Sequence, residues 1–210
     1  MFDVEHIFLT DPNDPKIREV TARMSRFVCN LQTKSECFNE AAYIVETDVP
    51  VTFTRYTPDK VTSKKNVYLI TEQEKSGSRI FFCPGVIGLI MFLKTGKTID
   101  EGNVKSIQSS FMEYFINQIK GAYADGNDIL INGKKIMGIT VIHNISNGTL
   151  MIRFILTCKA ERLKLLVSKD DFVGRKYKDI TGVCDETGIS ESEARGMVKS
   201  FITKALLEVR

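Results

Sequence analysis

Gly126-Asn127-Asp128-Ile129-Leu130-Ile131-Asn132-Gly133-Lys134-Lys135-Ile136-Met137-Gly138 is the stretch on which the fold is read. Asn132-Gly133 is the favoured two-residue hairpin dipeptide, because both turn positions need positive φ. Residues 128–132 are therefore predicted as one strand and residues 135–142 as its antiparallel return. A second Asn-Gly, Asn147-Gly148, stands in the loop before a third predicted strand, 149–156. Three consecutive strands with two turn signals predict an antiparallel sheet.

Working outward, Val104, Ile107, Phe111, Phe115 and Ile119 recur at steps of three and four, which predicts a helix over about 104–121. Asp125-Gly126 breaks the chain after it. Downstream, 160–168 reads as a short helix. Ser190 with Glu193 forms a capping box, and Ala194, Met197, Val198, Phe201, Ile202, Ala205 and Leu206 follow the helical spacing without a miss. This last helix, within 186–210, is predicted to cover one face of the sheet. Upstream, 1–20 reads as a turn-rich lead-in around Asp11-Pro12-Asn13-Asp14-Pro15, within a divergent N-terminal stretch 1–38. Helices are predicted over 17–31 and around 38–45. Val49-Pro50-Val51-Thr52-Phe53-Thr54-Arg55-Tyr56 alternates at period two and is predicted as a strand, with another at 67–71. The apolar run 80–93 is interrupted by Pro84, Gly85 and Gly88 and is shorter than the ~20 residues a bilayer needs, so it is expected to be buried core. The expectation is one α/β (α+β) domain over 1–210, a mainly antiparallel sheet flanked by helices.

Apolar residues make up 43% of the chain and charged residues 26%, which is ordinary for a globular protein. With 29 basic and 26 acidic residues, the net charge of +3 is too small and too evenly spread to argue for nucleic acid. No signal peptide is read at the N-terminus, and no membrane association is expected. The five cysteines, Cys29, Cys37, Cys83, Cys158 and Cys184, form no close pair, and with only His6 and His143 available no zinc spacing arises. They read as reduced thiols in a cytoplasmic compartment, most simply small buried apolar groups.

The segment from Gly126 to Gly138 is similar to a pattern shared by lipoate–protein and biotin–protein ligases: an Asn-Asp pair opening a strand, a tight turn, then Lys-Ile/Val-x-Gly opening the return strand. Residues 49–56 resemble the family's early strand, and the 104–121 helix takes the place of the one before the motif. Gly148-Thr149-Leu150 resembles a later strand opening, and Thr187-Gly188-Ile189-Ser190 with the final helix sits where the family's fold ends. The likeness covers roughly 40–206 and implies a class II synthetase-like core. It implies ATP-dependent activation of a lipoyl, octanoyl or biotinyl carboxylate and transfer of the acyl group to a lysine of a carrier-protein domain. Lys135 then corresponds to the family's lysine, a fixed cation where negative charge develops. Asp128 would help hold Mg²⁺ or the nucleotide, Asn127 would orient the strand start and bond the adenylate, and Gly138 would let the ligand approach the backbone. Where the family has a basic pair, a glycine run and a later His-Asp, this chain has Lys75-Ser76-Gly77-Ser78-Arg79 and Phe82-Cys83. Gly77, Ser76 and Ser78 would expose N–H groups to the anion.

The residues also carry a plainer account. Lysines beside an Asn-Gly turn are what an exposed hairpin carries, and Asn-Asp can simply cap a turn. Alternation does not decide which of Lys134 and Lys135 points inward, because both faces of 135–142 are mostly apolar; the choice of Lys135 follows the resemblance. Cys83, among apolar neighbours with no histidine nearby, is not expected to be a nucleophile, and His143 is expected at the surface. The basic segment 60–65 is expected to be a solvated loop, with contact to an acidic carrier domain as the other reading. The alternative to an enzyme is a binding or assembly module that keeps the ligase fold with a decayed nucleotide loop.

Overall fold

The computed structural model describes residues 2–29, 39–53, 68–71, 80–95, 99–144, 148–167 and 178–209. Ten strands and five helices occur among them. The larger sheet contains β1 (Asp3–Leu9), β2 (Ala41–Thr47), β6 (Val86–Lys94), β7 (Tyr123–Asp125), β8 (Asp128–Ile131), β9 (Lys134–Asn144) and β10 (Thr149–Thr157). Its order is β1-β2-β6-β10-β9-β8-β7, antiparallel throughout except for the parallel β1–β2 pair. A smaller sheet has the order β4-β3-β5, from β3 (Val51–Phe53), β4 (Tyr68–Thr71) and β5 (Ile80–Phe82). The helices are α1 (Pro15–Cys29), α2 (Glu101–Gln118), α3 (Glu161–Leu166), α4 (Val183–Thr187) and α5 (Glu191–Val209).

Local chemistry explains the element ends. Asp14 caps α1 by accepting from Lys16 N at 2.8 Å, and Pro15 takes the first helical position, where its missing N–H costs nothing. Asp100 caps α2 through Asn103 N at 2.8 Å. The capping box of α5 forms reciprocally: Ser190 Oγ accepts from Glu193 N at 3.2 Å, and Glu193 Oε2 accepts from Ser190 N at 2.7 Å. At the β8–β9 turn Asn132 has φ 51° and Gly133 φ 76°, the paired positive values that the hairpin demands.

Two expectations are corrected. The supposed lead-in contains β1, whose Ile7 and Leu9 are buried. The helix expected around 38–45 is β2 from Ala41 onward, a short apolar run buried on both faces. Such a run has no usable period, and its place between β1 and β6 decides the matter. The apolar run 80–93 is two strands joined at Pro84-Gly85, and β7 adds a strand that was not anticipated. Residues 54–56 of the predicted early strand, the basic segment 60–65 and the loop bearing Ser76, Gly77 and Ser78 lie outside the described residues.

Apolar side chains are buried on both faces of the sheet. One face carries α2 and α5, where Phe111, Phe115, Phe154 and Phe201 interlock with ring centroids 5.0–5.2 Å apart. The opposite face carries α1, α3 and Phe81 and Phe82 of β5. Among the described residues no helix is long and apolar enough to cross a membrane. Phe201 is fully buried at the centre of the aromatic cluster. Phe201→Ala should lower the unfolding free energy by about 3–5 kcal/mol, read from the urea midpoint at unchanged m-value.

Candidate functional site

A single extra residue in β9 sets the direction of the candidate lysine. Met137, Ile139 and Val141 pack into the α2–α5 core, so strict alternation would send Lys135 inward with them. The register shifts by one, however: Ile129 pairs with Met137 while Leu130 pairs with Lys135. Ile136 is the added residue, and it joins Met137 in the core at 0% exposure. This bulge turns Lys135 onto the other face, beside Asp128 and Gly138, which are directly paired across β8 and β9.

There the Lys135 ammonium donates to Asp128 Oδ1 at 2.7 Å; the two side chains are 28% and 21% exposed. A Cβ on Gly138 would lie 3.1 Å from Lys135 Nζ and 3.2 Å from Asp128 Oδ1. The glycine is thus the floor on which the ion pair lies. Asn127 Oδ1 accepts from Gln108 Nε2 of α2 at 2.8 Å, and its carbonyl accepts from Ile139 N at 2.9 Å, so it is tied to both α2 and β9 at the strand start.

A lysine that the sequence reading missed completes the cluster. Residues 178–181 run alongside the start of β9: Lys135 N donates to Asp179 O at 2.7 Å, and Thr181 N donates to Lys135 O at 2.9 Å. This brings in Lys178, 50 residues from Asp128 in sequence, to within 3.0 Å of Asp128 Oδ2. Lys178 also reaches Asp125 Oδ2 and the Asp125 carbonyl, each at 2.9 Å. Burial pushes the Asp128 carboxyl up, but the two ammonium groups outweigh it and hold it below the usual carboxylate value. For Lys178, burial pulls downward, and its bonds to Asp125 and Asp128 outweigh that and raise it. A further cation lies on this face: Arg153 of β10, paired with Thr140 in register and only 8% exposed. Nothing in its local sequence marks either Lys178 or Arg153.

Lys134 turns the other way. Its Nζ stands 3.4 Å from Glu186 Oε1, and that carboxylate also accepts from Asn132 and Thr181, tying the hairpin turn to α4. Beside it lies a cleft of about 200 Å³ lined by Lys134, Lys164, Val167, Asp179 and Ile180. Cys83 is fully buried, and burial pushes its thiol up to about 12, which suits no nucleophile. His143, expected at the surface, is half-buried on β9; its Nε2 finds no hydrogen-bond partner among the described residues, and burial lowers its pKa. The donor set around Asp128 does not fit a protein-held Mg²⁺, because both carboxylate oxygens already face ammonium groups. Among the described residues no group of three His, Cys, Asp or Glu side chains could hold a metal.

The mixed, mostly antiparallel sheet, its helix pair on one face and a charged cluster on the other define an α/β (α+β) domain. Comparison with solved structures makes this specific. A bi-partite lipoate–protein ligase from Thermoplasma acidophilum, described together with its E2 lipoyl domain, superposes with a TM-score of 0.66 at 13% identity, over 97% of this chain and 83% of that one. Lipoate–protein ligase A bound with ATP gives 0.60 at 12%, over 98% and 84%. The biotin protein ligase of Leishmania major in complex with biotin gives 0.53 at 12%, over 97% and 73%. The chain spans 62% of the length of Plasmodium falciparum LipL1, solved with lipoate, at 13% identity and a TM-score of 0.60 over 98% of this chain. The fold is that of the lipoate–protein and biotin–protein ligases. No protein-family model matches the sequence, and no curated protein does.

Removing the Asp128 charge leaves two partly buried ammonium groups without their shared acceptor. Asp128→Asn should cost about 1–3 kcal/mol of stability at pH 7. Because the folded-state pKa is depressed, the stabilisation is present above the unfolded value of about 3.9 and is lost as pH falls through the lower folded value. Urea titrations at pH 7 and pH 3 should therefore show the gap between variant and parent closing in acid.

Proposed function

We propose that the protein is an acyl-adenylate-forming ligase of the lipoate/biotin type. It uses ATP to activate a lipoyl, octanoyl or biotinyl acid and passes the acyl group to a lysine on a carrier-protein domain. The observation that carries this reading is the placement of Lys135: a half-buried ammonium on the face of the sheet away from α2 and α5, at the strand opening that resembles the family motif.

The two steps place negative charge near that ammonium. In the first, a carboxylate oxygen attacks the α-phosphorus and pyrophosphate departs. In the second, the carrier amine attacks the acyl carbon and AMP departs as the C–O bond breaks. Lys135 would stabilise the crowded phosphate and carbonyl oxygens of both steps, with its approach set by the bulge and by Asp128. Asn127 would bond the adenylate, and the N–H groups of Ser76, Gly77 and Ser78 would cradle its phosphate. Gly138 keeps the backbone low beneath the ion pair. No step is assigned to a metal held by Asp128. Cys83, Cys158 and Cys184 are free thiols, which suits a reducing, cytoplasmic setting.

The second reading, a binding or assembly module on the same fold, is favoured by one feature. Asp125, Asp128, Lys135 and Lys178 already satisfy one another in a neutral cluster. The two readings separate in an exchange assay. Purified protein should exchange labelled pyrophosphate into ATP with lipoate, octanoate or biotin, and Lys135→Ala should reduce the rate by about 10²–10³. No exchange with any of the three acids would favour the module.

A further inference from the structure

The Lys178 ammonium has three N–H donors and sits among three oxygens: the Asp125 carbonyl at 2.9 Å, Asp125 Oδ2 at 2.9 Å and Asp128 Oδ2 at 3.0 Å. Two carboxylates and a carbonyl make a set of hard oxygen ligands of the kind that binds divalent cations. The distances are those of an ammonium, since Mg²⁺ would draw its ligands to about 2.0–2.1 Å. The Lys178 side chain is only 16% exposed, and its backbone is held by the pairing of 178–181 with β9. Charge points the same way. Asp125 and Asp128 are balanced by Lys135 and Lys178, so a dication added to this cluster would leave it doubly positive in a half-buried place. Taking Lys178 away would leave one net negative charge and an open oxygen cage.

We infer that Lys178 is a built-in counter-cation: it occupies the position a divalent metal would take between Asp125 and Asp128 and positions Asp128, whose other oxygen holds Lys135. The side chain is a positioning group acting through Asp128, not a group that touches the reacting atoms. One consequence rests on the ligase reading: divalent metal would reach the site on the nucleotide's phosphates, not on a protein carboxylate.

Mn²⁺ alone, without nucleotide, is the probe. By electron paramagnetic resonance, the full chain should show no Mn²⁺ site tighter than the background of a surface carboxylate. Lys178→Ala should bind one Mn²⁺ at least tenfold more tightly, and adding Asp125→Asn should abolish the gain. Lys178→Arg, which keeps the cation, should behave as the parent. In parallel, Mn²⁺ should leave the carboxyl carbon resonances of Asp125 and Asp128 unbroadened in the unaltered protein, a measurement independent of how the variants fold. The inference is overturned if the unaltered protein binds Mn²⁺ with those resonances broadened, or if folded Lys178→Ala gains no site. Neither readout involves ATP, so the pyrophosphate exchange assay can fail or succeed separately.

Discussion

The bulge at Ile136 is the constraint on which the site depends. Without it, the period of two along β9 would bury Lys135 among Met137, Ile139 and Val141, where an ammonium without a partner is strongly disfavoured. With it, Ile136 and Met137 share the core side, and Lys135 emerges opposite Gly138 with Asp128 at 2.7 Å. The same insertion keeps a continuous apolar surface under α2 and α5, so packing and site formation are satisfied by one local irregularity.

Around that point the structure spends its polar contacts on holding the hairpin still. Glu186 collects Asn132, Lys134 and Thr181, Asn127 is tied to Gln108 on α2, and residues 178–181 bond to both backbone groups of Lys135. A short strand pair near a sheet edge would otherwise be a poor platform, because β7 contributes only three residues and all are exposed. The second polar network, at the opposite end of the sheet, is separate. There Glu46 of β2, 6% exposed, is bound by Arg195 of α5 at 2.9 Å and by His6 of β1 at 2.8 Å, which fastens the C-terminal helix over the parallel strand pair.

The elements that were legible in the amino-acid order are those with a strong period or a defined turn. The α5 capping box, the α2 stripe and the Asn132-Gly133 hairpin each carry local chemistry that few other conformations satisfy. The β2 strand was misread as a helix because a run buried on both faces has no polar side to reveal its period. The β1 strand was missed because Asp3, Val4, His6 and Phe8 remain exposed, and only Ile7 and Leu9 betray a buried face.

For the candidate site, Asn127-Asp128 and Lys135-Gly138 stood out through their resemblance to a family pattern around one turn, since the residues alone did not choose between Lys134 and Lys135. The ligase-like fold that this resemblance implies could be read from the chain because the motif is local. The direction of Lys135 could not be read, since a one-residue slip in register reverses every side chain and is specified by pairing with β8. Lys178 was equally invisible, because it joins the site through bridge pairing between segments far apart in sequence. Local sequence determined which groups the hairpin carries; long-range backbone pairing alone decided which of them meet.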